Sequence, residues 1–105
     1  MSDNKFSIIE DKSGEKTSRL MVKGPASSLN AEVLQRKLDE VLKSGAKLII
    51  VNMQDVSFLA SGGIRVLLMY YKISRGRGID FFIEAPSENV RNVLGMVALD
   101  EMLLR

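Results

Sequence analysis

The sequence contains neither cysteine nor histidine among its 105 residues. Without cysteine, the protein has no disulfide scaffold, no thiolate metal site and no cysteine nucleophile. Without histidine, it lacks the commonest general base and metal ligand, and a Ser-His-Asp triad is excluded. The phosphate-binding pattern G-x-x-x-x-G-K-[ST] is also missing. We therefore predict a binding protein rather than an enzyme, with no metal and no cofactor.

Long apolar runs and a large excess of one charge are also absent. The 15 Lys and Arg residues face 13 Asp and Glu, and this net charge of +2 does not indicate a nucleic-acid binder. The longest candidate for a membrane span, residues 64–73, is interrupted by Arg65 and Lys72 and is shorter than the ~20 residues required. Residues 1–5 are polar and lack the apolar segment of a secretion signal. These features predict a cytoplasmic protein that neither spans a membrane nor binds nucleic acid directly.

The first half of the chain predicts two strands, a helix and a third strand. Residues 6–10 and 18–23 read as short strands on either side of a polar turn at residues 11–16, which favours an antiparallel pair. The glycine-proline pair at residues 24–25 is expected to end the second strand, and residues 46–53 contain the apolar run of a strand covered on both faces. The apolar stripe of the helix is formed by Ala31, Leu34, Leu38, Val41, Leu42 and the terminal Gly45. Its candidate N-cap residues are Ser27, Ser28 and Asn30.

The second half predicts two further helices and one or two further strands. The second helix should begin after Ala60 and end within residues 75–78, before a strand at residues 79–84. Pro86 fits the first position of a third helix, and residues 101–105 are expected to add a short edge strand. The order β-β-α-β-α-β-α predicts an α/β fold with a mixed sheet of four to five strands and helices packed against it. The inner stripe of the third helix is predicted to be Val90, Val93, Leu94, Val97 and Ala98.

Residues 55–68 are the unusual stretch, where we expect a buried strand to run through a loop into the second helix. Two glycines in the first helical turn, Gly62 and Gly63, each cost about 1 kcal/mol of helix stability relative to alanine. Without Cβ atoms, they would let a partner or an anion approach the backbone N–H groups. Ser61 would then present its hydroxyl at the helix N-terminus, and the alternative is a simple N-cap serine.

The second helix is apolar nearly all round, except along one narrow stripe. Ser61, Arg65 and Lys72 share that stripe, with Leu68 and Met69 between them. A helix of this kind is either almost wholly buried or presents its apolar surplus to another protein. A serine at its tip with a basic residue one turn later suits an interface controlled by a phosphate group.

Three segments of the chain carry a recognisable family pattern. They read G-P-A-S-S-L-N-A-E-V-L at residues 24–34, L-I-I-V-N-M-Q-D-V-S-F-L-A-S-G-G-I-R-V-L-L at residues 48–68 and P-S-E-N-V-R-N-V-L-G-M at residues 86–96. Together they resemble the STAS domain, in particular that of the bacterial anti-sigma factor antagonists. The central D-x-S-F-x-x-S-x-G-[LI] pattern is the most diagnostic part. Because the resemblance covers nearly the whole chain, it implies a single STAS domain over residues 1–105.

The resemblance also implies a mechanism of partner switching. The unmodified domain binds an anti-sigma factor that has serine-kinase activity, and a sigma factor is thereby freed to act in transcription. Phosphorylation of a serine at the start of the second helix abolishes that binding, and a metal-dependent serine phosphatase restores it. In this chain the serine matches Ser61, and the glycine at the helix start matches Gly63.

The expected site is therefore the neighbourhood of Ser61, with Gly62, Gly63 and Arg65 beside the phosphate. The family usually has Asp immediately before the serine, whereas this chain has Ala60, and it commonly has Ser or Thr where this chain has Gly62. We expect these departures to make phosphorylation slow or dependent on an unusual kinase. A core position is the competing interpretation for two members of the expected partner surface, Phe58 and Ile64. That surface comprises Ser27, Ser28, Leu29, Asn30, Phe58, Leu59, Ala60, Ile64 and Met69.

Two other functions remain open at this point. The protein could be a STAS subunit that is never phosphorylated and belongs to a larger assembly, such as a sensory complex or a lipid-transport ATPase. It could also be a small-molecule or nucleotide-binding α/β domain. Thermal stabilisation by a ligand in the absence of any protein partner would favour the last of these.

Overall fold

The computed structural model of the protein describes residues 5–105, and over this range it contains one mixed β-sheet and four helices. In chain order the elements are β1 (Ser7–Gly14), β2 (Thr17–Ala26), α1 (Ala31–Lys43), β3 (Leu48–Leu59), α2 (Ser61–Gly76), β4 (Asp80–Glu84), α3 (Glu88–Met96) and α4 (Asp100–Leu103). The sheet order is β1-β2-β3-β4, in which β1 and β2 are antiparallel and the other neighbours are parallel. The α/β class, the antiparallel first pair and the mixed sheet are confirmed. Residues 1–4, which include most of the polar N-terminus, lie outside the described residues.

The hydrophobic core lies between one face of the sheet and the helices. In β2, buried residues alternate with more exposed ones, as expected for a strand that has one face on the core. β3 is central, with β2 and β4 on either side, and residues 49–53 are all buried. The core includes Leu20, Val22, Ile49, Val51, Met53, Phe81 and Ile83 of the sheet and Leu34, Leu38, Leu67, Val90 and Leu94 of the helices.

The prediction that the glycine-proline pair ends β2 is wrong, because the strand continues to Ala26. β3 pairs with β2 over that length, and the irregular register between Gly24 and Pro25 accommodates a residue that has no N–H to donate. Gly24 has a φ of +96°, and a Cβ atom there would lie 2.5 Å from the carbonyl oxygen of Lys5. Glycine is therefore required by both conformation and space.

Two other predicted boundaries are also wrong. β1 extends to Gly14 because its pairing with β2 continues to that residue, which reduces the expected turn at residues 11–16 to two residues. Residues 101–105 belong mainly to the short helix α4 instead of an edge strand. Leu104 forms only an isolated parallel bridge with Ile83. The single helical turn lets Leu103 point into the core, where it is fully buried.

α3 begins later than predicted, so Pro86 does not occupy its first position. Ser87 is the N-cap, and its Oγ accepts a hydrogen bond from the Val90 amide at 3.3 Å. The predicted inner stripe holds only within the helix, which ends at Met96. Val90 and Leu94 are buried and Val93 is half-buried, whereas Val97 and Ala98, which follow the helix, are exposed.

α1 agrees with its prediction, including the glycine after its end, since Gly45 has a φ of +86°. Asn30 is its N-cap by position, although no side chain caps the helix. An ion pair ties the helix to the first strand, with Lys37 Nζ 2.8 Å from Glu10 Oε1. This hydrogen bond holds the pKa of Glu10 below its usual value and raises the pKa of Lys37.

A second polar cluster crosses the three parallel strands. Arg19 Nε lies 2.9 Å from Glu84 Oε2, and the Asn52 side-chain amide donates to the same oxygen at 2.9 Å. The Asn52 hydrogen bond, helped by Arg19, lowers the pKa of Glu84. The cluster accounts for Asn52, a buried polar residue in the central strand.

α2 starts and ends where the sequence predicts, and it is the helix that carries the candidate site. One side of it is buried against the sheet and α1, and one narrow stripe is exposed, as predicted. Among residues 5–105, no helix is long and apolar enough to cross a membrane. The buried side is formed by Gly62, Gly63, Val66, Leu67, Tyr70 and Ser74, and the exposed stripe by Ser61, Arg65, Met69 and Lys72.

Tyr70 joins the two large helices and makes their packing sensitive to alkaline pH. Its hydroxyl donates a hydrogen bond to Asp39 Oδ1 of α1. Burial, together with this hydrogen bond, raises the pKa of Tyr70 to about 12. The folded value lies above the value of about 10 in an unfolded chain, so the neutral phenol stabilises the fold fully below about pH 10. That contribution is lost as the pH rises towards 12.

We expect Tyr70→Phe to lower the free energy of unfolding at pH 7 by about 1–2 kcal/mol, because a hydrogen bond to a carboxylate is lost. Between pH 10 and 12 the variant should lose less stability than the wild type. Urea unfolding across this range measures both effects, and Tyr71→Phe is the matched control, since the Tyr71 hydroxyl only accepts a bond from Arg75. Equal pH dependence in the wild type and the Tyr70 variant would contradict the assignment.

Candidate functional site

The candidate site is built where the carboxyl ends of β2 and β3 meet the start of α2. The predicted loop before the helix is not present, because β3 continues as a strand to Leu59, which lies opposite Ala26. The Ala60 amide then donates to the carbonyl oxygen of Ala26 at 2.9 Å. The chain therefore passes from strand to helix within a single residue, and Ser61 has little freedom of position.

Ser61 is the first residue of α2 and presents its hydroxyl to solvent. The N-cap is Ala60, with a φ of −94° and a ψ of 171°, and it has no side chain that could cap the helix. This geometry excludes the interpretation of Ser61 as a simple N-cap serine. Ser61 is exposed, and within the described part of the chain its hydroxyl forms no hydrogen bond. The amide of Ile64 makes the first helical bond, to the Ala60 carbonyl at 3.0 Å, so the preceding amides lack a helical acceptor.

The two glycines have a different role from the predicted one. Both Gly62 and Gly63 are buried, so their missing side chains leave room for contacts within the domain instead of for a partner. A Cβ atom at Gly62 would lie 2.9 Å from both Cα and Oγ of Ser28. One at Gly63 would lie 2.8 Å from Leu59 Cδ1 and 3.1 Å from the Ala26 carbonyl oxygen. The glycines let α2 approach the backbone of the β2–α1 loop and the end of β3.

The loop at residues 27–30 is held in place by its own hydrogen bonds. The Asn30 amide donates to the Ser27 carbonyl oxygen at 3.1 Å and lies 3.2 Å from Ser27 Oγ. The Asn30 side-chain amide donates to the Pro25 carbonyl oxygen at 2.9 Å. These bonds set Ser28 against Gly62 and leave Leu29 87% exposed beside the start of α2.

The structure sorts the expected partner-binding residues by exposure. Leu59 is only 4% exposed and packs in the core, so its place in a partner surface is wrong; strand pairing turns it inward. Phe58, its neighbour on the strand, is 43% exposed, against the competing core interpretation. Ser27, Asn30, Ala60 and Ile64 are half-buried, and Ile64 packs against the core. We call the exposed members, together with the exposed Ser61 and Arg65, the Ser61 surface, which comprises Ser28, Leu29, Phe58, Ser61, Arg65 and Met69.

Asn89 is a structural contributor to the site that the sequence does not single out. β4 ends opposite Asn52, so the last part of β3 has no strand neighbour on that side. The first turn of α3 takes that place, because Asn89 Oδ1 accepts from the Leu59 amide at 3.0 Å and the Ser87 amide donates to the Met53 carbonyl at 3.0 Å. An asparagine near a helix start is common, and nothing in its local pattern points to so distant a strand.

The electrostatics of the site are dominated by cations. α2 carries no acidic residue, and Arg65 and Lys72 lie on its exposed stripe. In the described range, no group of three Asp or Glu side chains is placed to hold a metal ion. The arrangement can present one hydroxyl, several apolar side chains and a positive charge to another molecule.

The STAS domain family model matches residues 11–104. The fold is similar to that of an anti-sigma factor antagonist from Mycobacterium paratuberculosis, with a TM-score of 0.86 and 19% identity over 98% of this chain and 87% of that one. No curated protein matches the sequence significantly.

Two structures of SpoIIAA are also similar in fold. The unphosphorylated anti-sigma factor antagonist SpoIIAA gives a TM-score of 0.82 at 18% identity, covering 94% of this chain and 86% of that one. The phosphorylated form, described as a Bacillus cell fate determinant, gives a TM-score of 0.76 at 17% identity, covering 94% and 89% of the two chains. These similarities establish the architecture predicted for the chain.

The close approach at Gly62 leads to a test of how the site is assembled. We expect Gly62→Ala to lower the free energy of unfolding by about 1–3 kcal/mol, because the new Cβ displaces the backbone at Ser28. Gly76→Ala, at the other end of the same helix, meets no atom within 4 Å and should be neutral or slightly stabilising. Urea unfolding of both variants measures the difference. Equal stability of the two variants would mean that the loop does not rest on the helix.

Proposed function

The chain belongs to the STAS domain family, and from this premise we propose that it is an anti-sigma factor antagonist. It binds an anti-sigma factor that has serine-kinase activity, and the Ser61 surface is the contact. Phosphorylation of Ser61 ends the binding and so regulates transcription. The observation that carries the proposal is the exposed hydroxyl of Ser61, fixed at the first residue of α2 and free of any hydrogen bond within residues 5–105.

The apolar part of the Ser61 surface supports a protein partner. Leu29, Phe58 and Met69 are 87%, 43% and 37% exposed, although each is a large hydrophobic residue. Burying such a side chain from full exposure contributes about 1.5–3 kcal/mol. Phe58 and Met69 are already more than half buried, so the three side chains together supply part of the free energy of a micromolar complex. Ser61 lies at the start of the helix that carries Met69, and its neutral hydroxyl is inexpensive to bury when a partner group accepts its hydrogen bond.

A phosphate group changes this surface far more than it changes the fold. It brings about −1.5 to −2 charges and three acceptor oxygens. At the N-terminus of α2 the helix dipole favours that charge, so the domain stays folded. Buried against a partner shaped for a hydroxyl, the same charge costs several kcal/mol, enough to dissociate a micromolar complex.

The phosphoryl group must be supplied and removed by other proteins. Nothing in this sequence matches a nucleotide-binding loop that could hold ATP in line with Ser61, so the domain is a substrate and not an enzyme. A metal-dependent serine phosphatase reverses the modification. Ala60 stands where the family usually has Asp, and we expect slow phosphorylation for that reason. We propose that the protein acts in the cytoplasm, together with these partners.

The switch is tested with one purified protein encoded in the same genome, the anti-sigma factor that has serine-kinase activity. Wild type and Ser61→Ala should bind it with similar affinity, whereas Ser61→Asp should bind about 100-fold more weakly, because the contact then desolvates a charge for which the anti-sigma factor supplies no cation. All three proteins should melt at similar temperatures, since Ser61 is exposed. Calorimetric titration and thermal melting give the two measurements.

Phosphate at Ser61 is sought by mass spectrometry of the native protein and after incubation with the kinase and Mg-ATP, with Ser61→Ala as the control. The proposal fails if Ser61→Asp retains full binding and no phosphate is found at this residue. A constitutive STAS scaffold within a larger assembly would then describe the protein better.

The position of the contact surface is tested at Met69. Met69→Lys should weaken partner binding at least tenfold, because it places a charged ammonium in an apolar contact. The melting temperature should change little, since the side chain is 37% exposed. Met102→Lys is the matched control, because Met102 is 42% exposed and lies in α4, outside the Ser61 surface. A large loss of stability in the Met69 variant, or equal binding by the two variants, would remove Met69 from the contact.

A further inference from the structure

Arg65 lies about one helical turn after the proposed phosphorylation site. It follows Ser61 by four residues in α2, a spacing that places two Cβ atoms about 5–6 Å apart on one face of a helix. Helical side chains lean towards the N-terminus of their helix, so the Arg65 side chain extends back over the turn that begins with Ser61. Both residues are exposed on the same stripe of α2, whereas the intervening Gly62 and Gly63 lie on its buried side.

The guanidinium group of Arg65 is not engaged elsewhere in residues 5–105. Three other arginines pair with carboxylates: Arg19 with Glu84 at 2.9 Å, Arg36 with Glu32 at 3.7 Å and Arg105 with Asp80 at 3.5 Å. Within the same described range, no carboxylate oxygen lies within 4.0 Å of Arg65, and α2 itself has no acidic residue. An anion introduced beside Arg65 therefore meets a cation without breaking an existing ion pair.

On the basis of the proposed phosphorylation of Ser61, we propose that Arg65 binds the phosphate of phosphorylated Ser61 within the same helix. Arginine suits this contact because its planar guanidinium can donate two parallel hydrogen bonds to phosphate oxygens. Ala60 offers no side-chain acceptor that would compete for Arg65 or for the amides at the helix start. Arg65 thereby compensates the negative charge of the phosphate within the domain.

The contact has a consequence for recognition. Phosphorylation withdraws two features from the Ser61 surface together, since the hydroxyl is esterified and the Arg65 cation becomes paired. The modified helix also gains an ion pair between its first and second turns, which supports its N-terminal end. The phosphorylated domain is therefore a folded, stable species that has lost the surface presented to the partner.

The experiment uses the full chain with phosphoserine installed at position 61 during translation, so that no native kinase is needed. Phosphorus NMR then follows the ionisation of the phosphate between pH 4 and 8, at low salt. An exposed phosphoserine has a second pKa of about 6. We expect this pKa to be lower by about 0.2–0.4 in the otherwise wild-type protein than in the Arg65→Gln variant, because the cation favours the dianion.

Lys72→Gln is the matched control, because it removes one positive charge from the same exposed stripe but lies eleven residues from Ser61. It should leave the phosphate titration close to that of the wild type, and Arg65→Lys should restore part of the effect. A second measurement needs no variant: the Arg65 Nε–H resonance should shift when the phosphate ionises. Identical titrations with and without Arg65, or an unperturbed Arg65 resonance, would overturn the proposal.

The result is separable from the outcome for the proposed function. If Ser61 of the native protein carries no phosphate but the installed phosphoserine titrates with Arg65, the regulatory proposal fails and the contact stands. If native phosphorylation is found but Arg65 leaves the titration unchanged, the switch stands and this contact is wrong.

Discussion

The parallel pairing of β2 with β3, continued to the last residue of both strands, is the constraint on which the Ser61 surface depends. Ala26 lies opposite Leu59, so the loop after β2 and the helix after β3 begin at the same level of the sheet. They can occupy that space together only because Gly62 and Gly63 lack Cβ atoms. The cost of two glycines in a helical turn is thus offset by a close contact that fixes the direction of α2.

The far side of the same strand end is supported by α3. β3 extends beyond the last residue that pairs with β4, and a strand end without a neighbour leaves backbone N–H and C=O groups unpaired. Asn89 and Ser87 supply two of the missing bonds. The end of β3 is therefore held on one side by β2 and on the other by the start of α3, and α2 begins two residues after its last paired residue. Under the proposed function, a site held in this way would let a partner distinguish the modified from the unmodified serine without rearrangement of the domain.

The order of elements, the extent of α2 and the exposed stripe with Ser61 could be predicted because hydrophobic periodicity and glycine positions report them directly. The end of β3 could not be predicted, because bulges interrupt the alternation of side chains. The register with β2 shifts between Met21 and Lys23 and again between Gly24 and Pro25. Because residues 54 and 55 are polar, this part of the sequence resembles a loop, and the pattern does not indicate that Leu59 points into the core. The role of Asn89 depends on a contact across 30 residues of sequence, which periodicity does not report.

For the proposed phosphorylation of Ser61, the neighbouring residues affect the rate of modification and the stability of the modified helix in opposite directions. An Asp immediately before the serine, as the family usually has, would place a second negative charge beside a phosphate dianion, and like charges at that distance repel. Ala60 carries no such charge, and under the proposal Arg65 supplies an attraction one turn away. Ala60 also leaves a kinase of the family without the acidic group that it usually meets beside its target. Under the proposed function, slow modification and a stable phosphorylated helix therefore follow from one local charge pattern, an uncharged residue before Ser61 and a cation one turn after it.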